Sequence, residues 1–450
     1  MKERIINSAD LIKSLRFDGS YHNAEVNVYD SVINSHSSHT LDYYCTEIFT
    51  SGRNKRVYTT EKFGIPFLSN SDISSANPFL SCKYSSKKYG YDEAAVLKKG
   101  MILTGRVGAI GQTAFVPAYF EKEKAMGSDN IIRIVVKSEY KNGFIYAYLA
   151  SKIGKLSFWK HATGGVQPFI TDDMVGKLPI PDFPDSFQKE VDDLIQESVR
   201  LREEAIEALE EAVEYFNDKY PINTKIRKTF ALSLKELKLG FAAYNNNLEV
   251  DDFINVYKDN SYELESKTSN IFAPPLFKHI YLNKDNGYPF MTGSELTQFN
   301  LRYYRWLSPR GVKDINDYVV KKGTLLLYKS GTTDGGILGN VFIADKKLDG
   351  CCLSDHVIRV VFNDEKQAYW AFAFLRSRGG VRLLQRLATG TMIPFITPER
   401  LSHIYIPNPD EKFDRVVELI ETYIKKNSES KEDEDRAISM VEQEIEKWKN

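Results

Sequence analysis

The chain has few cysteines, no long apolar run and no segment typical of a secretory signal. Its 450 residues include only four cysteines, Cys45, Cys82, Cys351 and Cys352, and none of them lies in a Cys-x-x-Cys pair. This content excludes a disulfide-dense fold. No apolar run reaches the roughly 18 to 20 residues that cross a bilayer. We therefore expect a soluble protein in the reducing environment of the cytoplasm.

Enzyme signatures are also missing. The sequence contains no Gly-x4-Gly-Lys-Ser/Thr phosphate loop, no Gly-x-Gly-x-x-Gly after a strand and no Asp/Asn-Pro-Pro-aromatic motif of amino-methyltransferases. Pro184-Asp185 and Pro409-Asp410 are not followed by the Glu-x-Lys strand of a metal-dependent nuclease. Both aspartates lie at predicted helix starts, where Asp commonly serves as the N-cap. We predict no catalytic residue and no cofactor bound by this chain.

Histidine is scarce and scattered. His36 and His39 are close together in a serine-rich run, but no Cys, Asp or Glu stands near them at metal-ligand spacing. We therefore predict no metal site.

Acidic residues are concentrated in two segments. Residues 189–219 hold 11 acidic and 4 basic residues, and residues 411–449 hold 12 acidic and 8 basic. Because the formal net charge of the whole chain is -1, the rest of the chain carries +10. A basic body favours a polyanionic partner such as a nucleic acid.

The sequence matches itself at a shift of 223 to 226 residues. The matched blocks are 64–73 with 287–296, 99–100 with 322–323, 128–133 with 354–359, 162–171 with 388–397, and 180–181 with 406–407. Their order and spacing agree over about half the chain, and the period is far longer than the ~20–50 residues of solenoid repeats. We interpret the sequence as two copies of a whole domain.

Each copy is predicted to be a mixed α+β domain followed by a long helix. The predicted strands are 101–103, 131–136, 324–328 and 357–362, and the predicted helices in the domain bodies are 145–153 and 368–375. The predicted domains are recognition domain 1 at 1–184, a central helix at 185–222, recognition domain 2 at 223–409 and a C-terminal helix at 410–450.

The two long helices have apolar residues at alternating spacings of four and three, which is typical of a coiled coil. An amphipathic helix lying on its own domain is the alternative. Thirty or more residues span over ~45 Å, which favours the coil. The second seam is interrupted by polar residues, so we expect residues 428–435 to fray or loop. The helix residues assigned to partner binding are Leu194, Leu201, Leu209, Ile420, Ile424 and Ile438.

Cations alternate with aromatic residues at corresponding places in the two copies, and a glycine-rich turn with a cation follows a strand in each. Cations neutralise phosphates, Arg can read guanine and rings contact bases or sugars. A solvated edge strand and an ordinary tight turn are the alternatives. The predicted DNA-binding residues are Lys83, Tyr84, Lys87, Lys88, Arg106, Arg302, Tyr303, Arg305, Arg310, Lys329 and Thr332. The lysines of copy one are expected on phosphates, Arg106 nearer the bases, and the arginines of copy two on guanines.

These blocks, in this order and in duplicate, resemble the specificity (S) subunit of type I restriction-modification systems. The residues that carry the resemblance are 67–73, 100–111, 162–170 and 178–181 with Gln188, together with 16–21, which is similar to the opening of one branch of the family. The likeness covers nearly the whole chain. Copy two departs from the pattern in a longer glycine loop at 332–336 and in lacking the Gln after Pro407.

The resemblance implies two target-recognition domains, each reading one half of a split, asymmetric DNA sequence. It implies that the two helices pair antiparallel, set the distance between half-sites and dock two modification (M) subunits, which carry S-adenosylmethionine and methylate adenine. A restriction (R) subunit would join them, and this chain would be non-catalytic. The alternatives are the S subunit of a type IIB-like enzyme and a non-catalytic DNA-binding coiled-coil adaptor.

Overall fold

A computed structural model describes the chain except residues 1–5, 18, 20, 23, 54, 81, 109, 165–166, 224–228, 234–242, 300–304, 333–336, 391 and 450. It divides into two compact units. Unit 1 consists of residues 1–203 and 429–450, and unit 2 consists of residues 204–428. Among the described residues, no helix combines the length and apolarity that crossing a membrane requires.

Unit 1 contains two four-stranded sheets with strand orders β2-β9-β6-β7 and β3-β5-β4-β8, in the numbering that follows. Its strands are β1 (His39–Thr40), β2 (Cys45–Thr50), β3 (Tyr58–Thr59), β4 (Gly64–Leu68), β5 (Lys83–Ser86), β6 (Ile102–Gly105), β7 (Thr113–Phe115), β8 (Met126–Gly127), β9 (Ile131–Val136) and β10 (Pro179–Ile180). Its helices are α1 (Ser8–Ser14), α2 (Ala24–Ser35), α3 (Leu41–Tyr44), α4 (Ala118–Lys122), α5 (Asn142–Ala150), α6 (Lys152–His161), α7 (Asp172–Gly176) and the first part of α8 (Asp185–Lys219). β4 and β8 are parallel, and the other pairs are antiparallel.

Unit 2 repeats this arrangement, with strand orders β12-β19-β16-β17 and β13-β15-β14-β18. Its strands are β11 (Ser261–Glu263), β12 (Thr268–Phe272), β13 (Tyr281–Leu282), β14 (Tyr288–Met291), β15 (Arg305–Leu307), β16 (Leu325–Tyr328), β17 (Val341–Ile343), β18 (Cys352–Leu353), β19 (Val357–Phe362) and β20 (Tyr405–Pro407). Its helices are α9 (Leu248–Tyr257), α10 (Gly293–Leu296), α11 (Glu365–Arg376), α12 (Arg378–Arg386), α13 (Pro398–Ser402) and the first part of α14 (Phe413–Lys447). The prediction of two tandem mixed α/β domains with long helices is therefore confirmed.

The helix predicted at 145–153 is wrong at its C-terminal end. α5 ends at Ala150, and Ser151 adopts an extended conformation between α5 and α6. The Ser151 hydroxyl accepts a hydrogen bond from the Gly154 N–H at 3.0 Å. This N-cap satisfies a donor that the first turn of α6 would otherwise leave unpaired, so the chain breaks there into two helices.

The core of each unit includes the long helices. α5 is apolar on every side and buried from Gly143 to Ala150, as expected for a helix enclosed by other elements. It shares one apolar cluster with Val191 of α8 and with Ile438 of α14. In unit 2 the buried α11 shares a cluster in the same way with Leu209 of α8 and with Ile420 of α14.

α8 and α14 pair antiparallel within each unit. In unit 1, Ser198 contacts Ser430, and Glu190 lies 4.0 Å from Arg436. In unit 2, Glu204 forms an ion pair with Lys426, and Glu211 forms one with Arg415 at 2.8 Å. Residue numbers rise along one helix as they fall along the other, so the predicted antiparallel coiled coil is confirmed.

The expected fraying at residues 428–435 is wrong, because α14 is helical throughout this segment. The Ser198 hydroxyl donates to the Ser430 carbonyl at 2.7 Å, and the Ser430 hydroxyl donates to the Ser198 carbonyl at 2.5 Å. The Tyr146 hydroxyl donates to Glu434 at 2.9 Å. Ser198, Ser430 and Glu434 therefore have hydrogen-bond partners, and a polar layer bonded in this way does not interrupt the helix.

Candidate nucleic-acid interface

The first cationic site lies on the sheet β3-β5-β4-β8 of unit 1. Lys83 begins β5, and its Nζ atom stands 4.8 Å from the ring centroid of Tyr58 on the edge strand β3. Lys83 is exposed, and 44% of Tyr58 remains accessible. A cation over an accessible aromatic face can still contact a phosphate or a base edge.

Unit 2 contains the same arrangement with a different cation. Lys83 pairs with Phe67 in β4, and Arg305 pairs with Phe290 in β14, so Arg305 is the structural equivalent of Lys83. The Arg305 guanidinium carbon lies 5.8 Å from the ring centroid of Tyr281, which is 42% exposed. The duplication thus preserves a cation–tyrosine pair although lysine is exchanged for arginine.

Tyr58 and Tyr281 are not among the residues predicted from the sequence. Both precede the matched glycine block by six residues, at Gly64 and Gly287, and the 223-residue shift relates them directly. Extending the internal match by nine residues toward the N-terminus, to Lys55 against its counterpart at 278, would have identified them.

An acidic side chain lies near each of these cations, but it acts differently in the two units. In unit 1, Asp72 accepts hydrogen bonds from the Ser69 N–H at 2.7 Å and the Ser69 hydroxyl at 2.6 Å. Burial raises the pKa of Asp72, although the bonds from Ser69 and the charge of Lys83 oppose that rise. No carboxylate among the described residues lies within ion-pair distance of Lys83.

In unit 2 the equivalent acid reaches the cation. Both carboxylate oxygens of Glu295 lie 2.7 Å from Nη2 of Arg305. Burial alone would lower the pKa of Arg305, but the hydrogen bond and charge of Glu295, together with Tyr281, outweigh it and the pKa is raised. Arg305 is therefore charged and fixed in orientation.

The other predicted residues of these segments lie on the surface or partly on it. Tyr84 in β5 is half-buried, whereas Lys87 and Lys88 are exposed in the turn that follows. Lys88 stands 5.1 Å from the ring of Tyr89, which is 63% exposed. Arg310 is exposed in a short 3-10 turn. Arg302 and Tyr303 lie outside the described residues.

The glycine-rich turns bring together blocks that are far apart in sequence. In unit 1 the Arg106 N–H donates to the Asn130 carbonyl at 2.8 Å, and the Ile170 N–H donates to the Arg106 carbonyl at 3.0 Å. The partly exposed Arg106 is thus fixed through its backbone between two matched blocks, and Gly108 beyond it adopts a φ of +76°. A left-handed residue at this turn favours glycine.

Unit 2 fixes Lys329 in the same way. Its N–H donates to the His356 carbonyl at 2.8 Å, and its carbonyl accepts from the Ile396 N–H at 2.7 Å. Thr332 is exposed, and its carbonyl accepts from the Leu338 N–H at 3.4 Å. The rest of the longer glycine loop, residues 333–336, lies outside the described part of the chain.

The block shared by 128–133 and 354–359 contains a buried arginine that is not among the residues predicted from the sequence. Arg133 is fully buried and donates to four backbone carbonyls, those of Ala95, Gly127, Ser128 and Ile131, at 2.6 to 3.3 Å. Burial lowers the pKa of the Arg133 guanidinium to about 10, and the same holds for Arg359 in unit 2. Both therefore stay charged at neutral pH. Arg133 holds the segment 127–131, whose Asn130 carbonyl accepts the hydrogen bond from Arg106 in the glycine-rich turn.

The six helix residues assigned to partner binding lie in the seam and core. Leu194 is half-buried, and the other five are buried: Leu201, Leu209, Ile420, Ile424 and Ile438. Their side chains are occupied by contacts within the units. Five of the six side chains are therefore enclosed in the structure, and Leu194 is partly accessible.

The histidines that the sequence places together have aromatic partners. His36 stacks on Trp448 with ring centroids 4.4 Å apart, and His39 stacks on Tyr43 at 3.6 Å. Among the described residues, possible ligand atoms for a metal converge at Glu263, Glu265 and His403. All three are partly or largely exposed, and the His403 Nδ1 atom lies 3.7 Å from Glu263 and 3.8 Å from Glu265.

A family model described as the type I restriction modification DNA specificity domain matches the chain twice, at residues 43–215 and 269–438. The two matches cover about three quarters of the chain. No curated protein matches the sequence.

Three solved structures match most of the chain at low sequence identity. The S subunit of the type I restriction-modification system from M. genitalium is 10% identical, with coverage of 91% of this chain and 94% of that chain and a TM-score of 0.32. The HsdS subunit from Thermoanaerobacter tengcongensis is 15% identical, with coverage of 91% and 95% and a TM-score of 0.28. A chain from a structure of type I R-M complex assembly is 16% identical, with coverage of 91% and 94% and a TM-score of 0.29.

Proposed function

This chain belongs to the type I restriction modification DNA specificity family, and from that premise we propose that it selects a bipartite, asymmetric DNA target for a methyltransferase and restriction complex. Unit 1 would read one half-site and unit 2 the other. The observation that supports this most strongly is the duplicated cation–tyrosine pair, Lys83 with Tyr58 and Arg305 with Tyr281. The equivalent sheets of the two units place both pairs in the same way. The exchange of lysine for arginine would allow the two units to read different half-sites.

The proposed roles of the cations follow from their chemistry. Lysine is a compact point charge that suits phosphates, whereas arginine presents a planar fork that matches guanine O6 and N7. We assign Lys83, Lys87 and Lys88 mainly to phosphates. Arg106 would lie nearer the bases, and Arg305 and Arg310 would contact guanine.

The paired helices α8 and α14 would set the distance between the half-sites and dock two M subunits, with R subunits joining the complex. S-adenosylmethionine would be bound by the M subunits and not by this chain. Residues 189–219 and 411–449 carry net charges of -7 and -4. Such surfaces favour basic partners, which would offset the repulsion between the acidic helices.

Methylation mapping tests the proposed function directly. Genomic DNA from cells with and without this gene should differ at methylated adenines that lie in one split motif with two different halves. A palindromic motif would contradict the assignment of unequal half-sites. DNA binding that depends on salt but has no sequence preference would favour the adaptor alternative.

We expect the purified chain to be inactive by itself. Incubated with DNA, S-adenosylmethionine and magnesium, it should neither transfer methyl groups nor cut, because the sequence shows no catalytic constellation. When the M subunits are added, the methylation rate should rise in proportion to the amount of complex that forms. Turnover that co-purifies with the chain through successive columns would contradict this prediction.

A further inference from the structure

We propose that Glu295 positions Arg305 for recognition of a guanine in the half-site read by unit 2, and that unit 1 has no such device. The proposal rests on the proposed function, since it assumes that the β13–β15 edge faces DNA. It concerns the orientation of Arg305 and adds Glu295 and Tyr281 to the residues that determine specificity.

The carboxylate of Glu295 is held by Thr292 as well as by Arg305. Its Oε2 atom accepts hydrogen bonds from the Thr292 N–H at 2.6 Å and the Thr292 hydroxyl at 2.9 Å. Thr292 caps the short helix α10, and Glu295 is the third residue of that helix, so the contact belongs to a capping box. Only 17% of the Glu295 side chain is exposed.

The anchored carboxylate and two rings determine where the guanidinium lies. Nη2 of Arg305 is 2.7 Å from both Glu295 oxygens. The guanidinium carbon is 5.8 Å from the Tyr281 ring centroid and 5.5 Å from that of Phe290. One third of the Arg305 side chain remains exposed. One carboxylate and two rings therefore restrain the guanidinium, and part of the side chain remains accessible.

The guanidinium has more donors than these contacts use. An arginine carries five N–H donors in a planar fork; Glu295 binds at Nη2, and Tyr281 also shares a hydrogen bond with Arg305. Guanine offers two acceptors, O6 and N7, which the remaining donors can match. Because the side chain is ordered before DNA binds, less conformational entropy is lost on binding and wrong bases are not accommodated by side-chain rotation.

Unit 1 provides an internal comparison. Asp72 occupies the place of Glu295 and makes the same cap, to Ser69. Its side chain is one methylene shorter, and no ion pair with Lys83 is present among the described contacts. Among the described contacts, the Lys83 Nζ atom lies over the Tyr58 ring, 4.8 Å from its centroid, and acts on Asp72 through its charge without an ion pair. A lysine with this freedom does not impose guanine at the corresponding base pair.

The test replaces Glu295 by glutamine, which can still accept the cap hydrogen bond but no longer holds the guanidinium by charge. The matched control is Asp72→Asn, which alters the equivalent cap in unit 1 without removing an ion pair. Each variant is assembled with the M subunits. Methylation rates are then measured on oligonucleotides in which every base pair of both half-sites is replaced in turn.

For Glu295→Gln we expect one base pair of one half-site to lose roughly five- to hundredfold of its discrimination, the range of a bidentate contact. Arg305→Lys should relax the same base pair, and Asp72→Asn should leave every position unchanged. An equal fall in the methylation rate on all oligonucleotides would assign Glu295 a purely structural role. Methylation rates unchanged at every position would show that Glu295 takes no part in recognition. Either result overturns the proposal. Wild-type complex without preference at any position would instead overturn the proposed function.

Discussion

Replacing Arg359 by methionine is expected to lower the free energy of unfolding of unit 2 by about 3 kcal/mol. The side chain is 1% exposed, and its guanidinium donates to the carbonyls of Ser354 at 2.9 Å, Leu353 at 2.7 Å and Val357. Methionine fills part of the volume but donates no hydrogen bond. The lost guanidinium hydrogen bonds to buried carbonyls account for most of the expected loss, although the Ser354 carbonyl still accepts from the Val357 N–H at 3.3 Å.

Urea unfolding followed by tryptophan fluorescence measures this effect, since the buried Trp370 lies in unit 2 and Trp159 and Trp448 lie in unit 1. Arg310→Met is the control, because Arg310 is exposed and its loss should change the free energy of unfolding by less than about 0.5 kcal/mol. Arg133→Met in unit 1 should cost at least as much as Arg359→Met, since Arg133 serves four carbonyls. An Arg359→Met protein that unfolds at the wild-type urea concentration would contradict the bracing role.

Replacing Ile420 by aspartate should destabilise the protein by about 4 kcal/mol or more, because it buries a charge in an apolar cluster. Ile420 is fully buried in the core of unit 2, whereas Leu194 in the same seam is half-buried in unit 1. Leu194→Asp can turn its carboxylate to solvent and should cost clearly less.

Thermal unfolding followed by circular dichroism distinguishes the two substitutions. At about 2–4 °C per kcal/mol for a unit of this size, Ile420→Asp should lower Tm by about 10 °C. The control Ile420→Val should cost only about 1 kcal/mol. Equal Tm losses for Ile420→Asp and Leu194→Asp would mean that the two positions are not buried to different degrees.

The burial of Ile420 also affects how partner docking can be tested. Loss of M-subunit binding after a change at Ile420 would follow from unfolding as readily as from a lost contact. Charge reversal on the exposed face of α8, for example at Glu207, leaves the seam intact and reports on docking alone.

Part of the candidate interface could be predicted from sequence, and part could not. The cations of copy one and Arg305 were identified because they alternate with aromatic residues between matched blocks. Tyr58 and Tyr281 were missed because each meets its cation across neighbouring strands, and the register of those strands is not visible in local composition. The six seam residues were predicted to bind a partner, and their burial follows from the packing of two helices that are distant in sequence.

The sequence by itself determined the duplication, the mixed α/β class, the long helices and the family, because periodicity and repeated blocks are properties of the linear order of residues. Only the tertiary structure decided which side chains meet. It placed Glu295 on Arg305, enclosed Arg133 and Arg359 among carbonyls, and kept α14 helical where Ser198 pairs with Ser430. Hydrogen bonds and burial depend on partners that folding brings from other strands and helices, and local sequence patterns do not encode those distances.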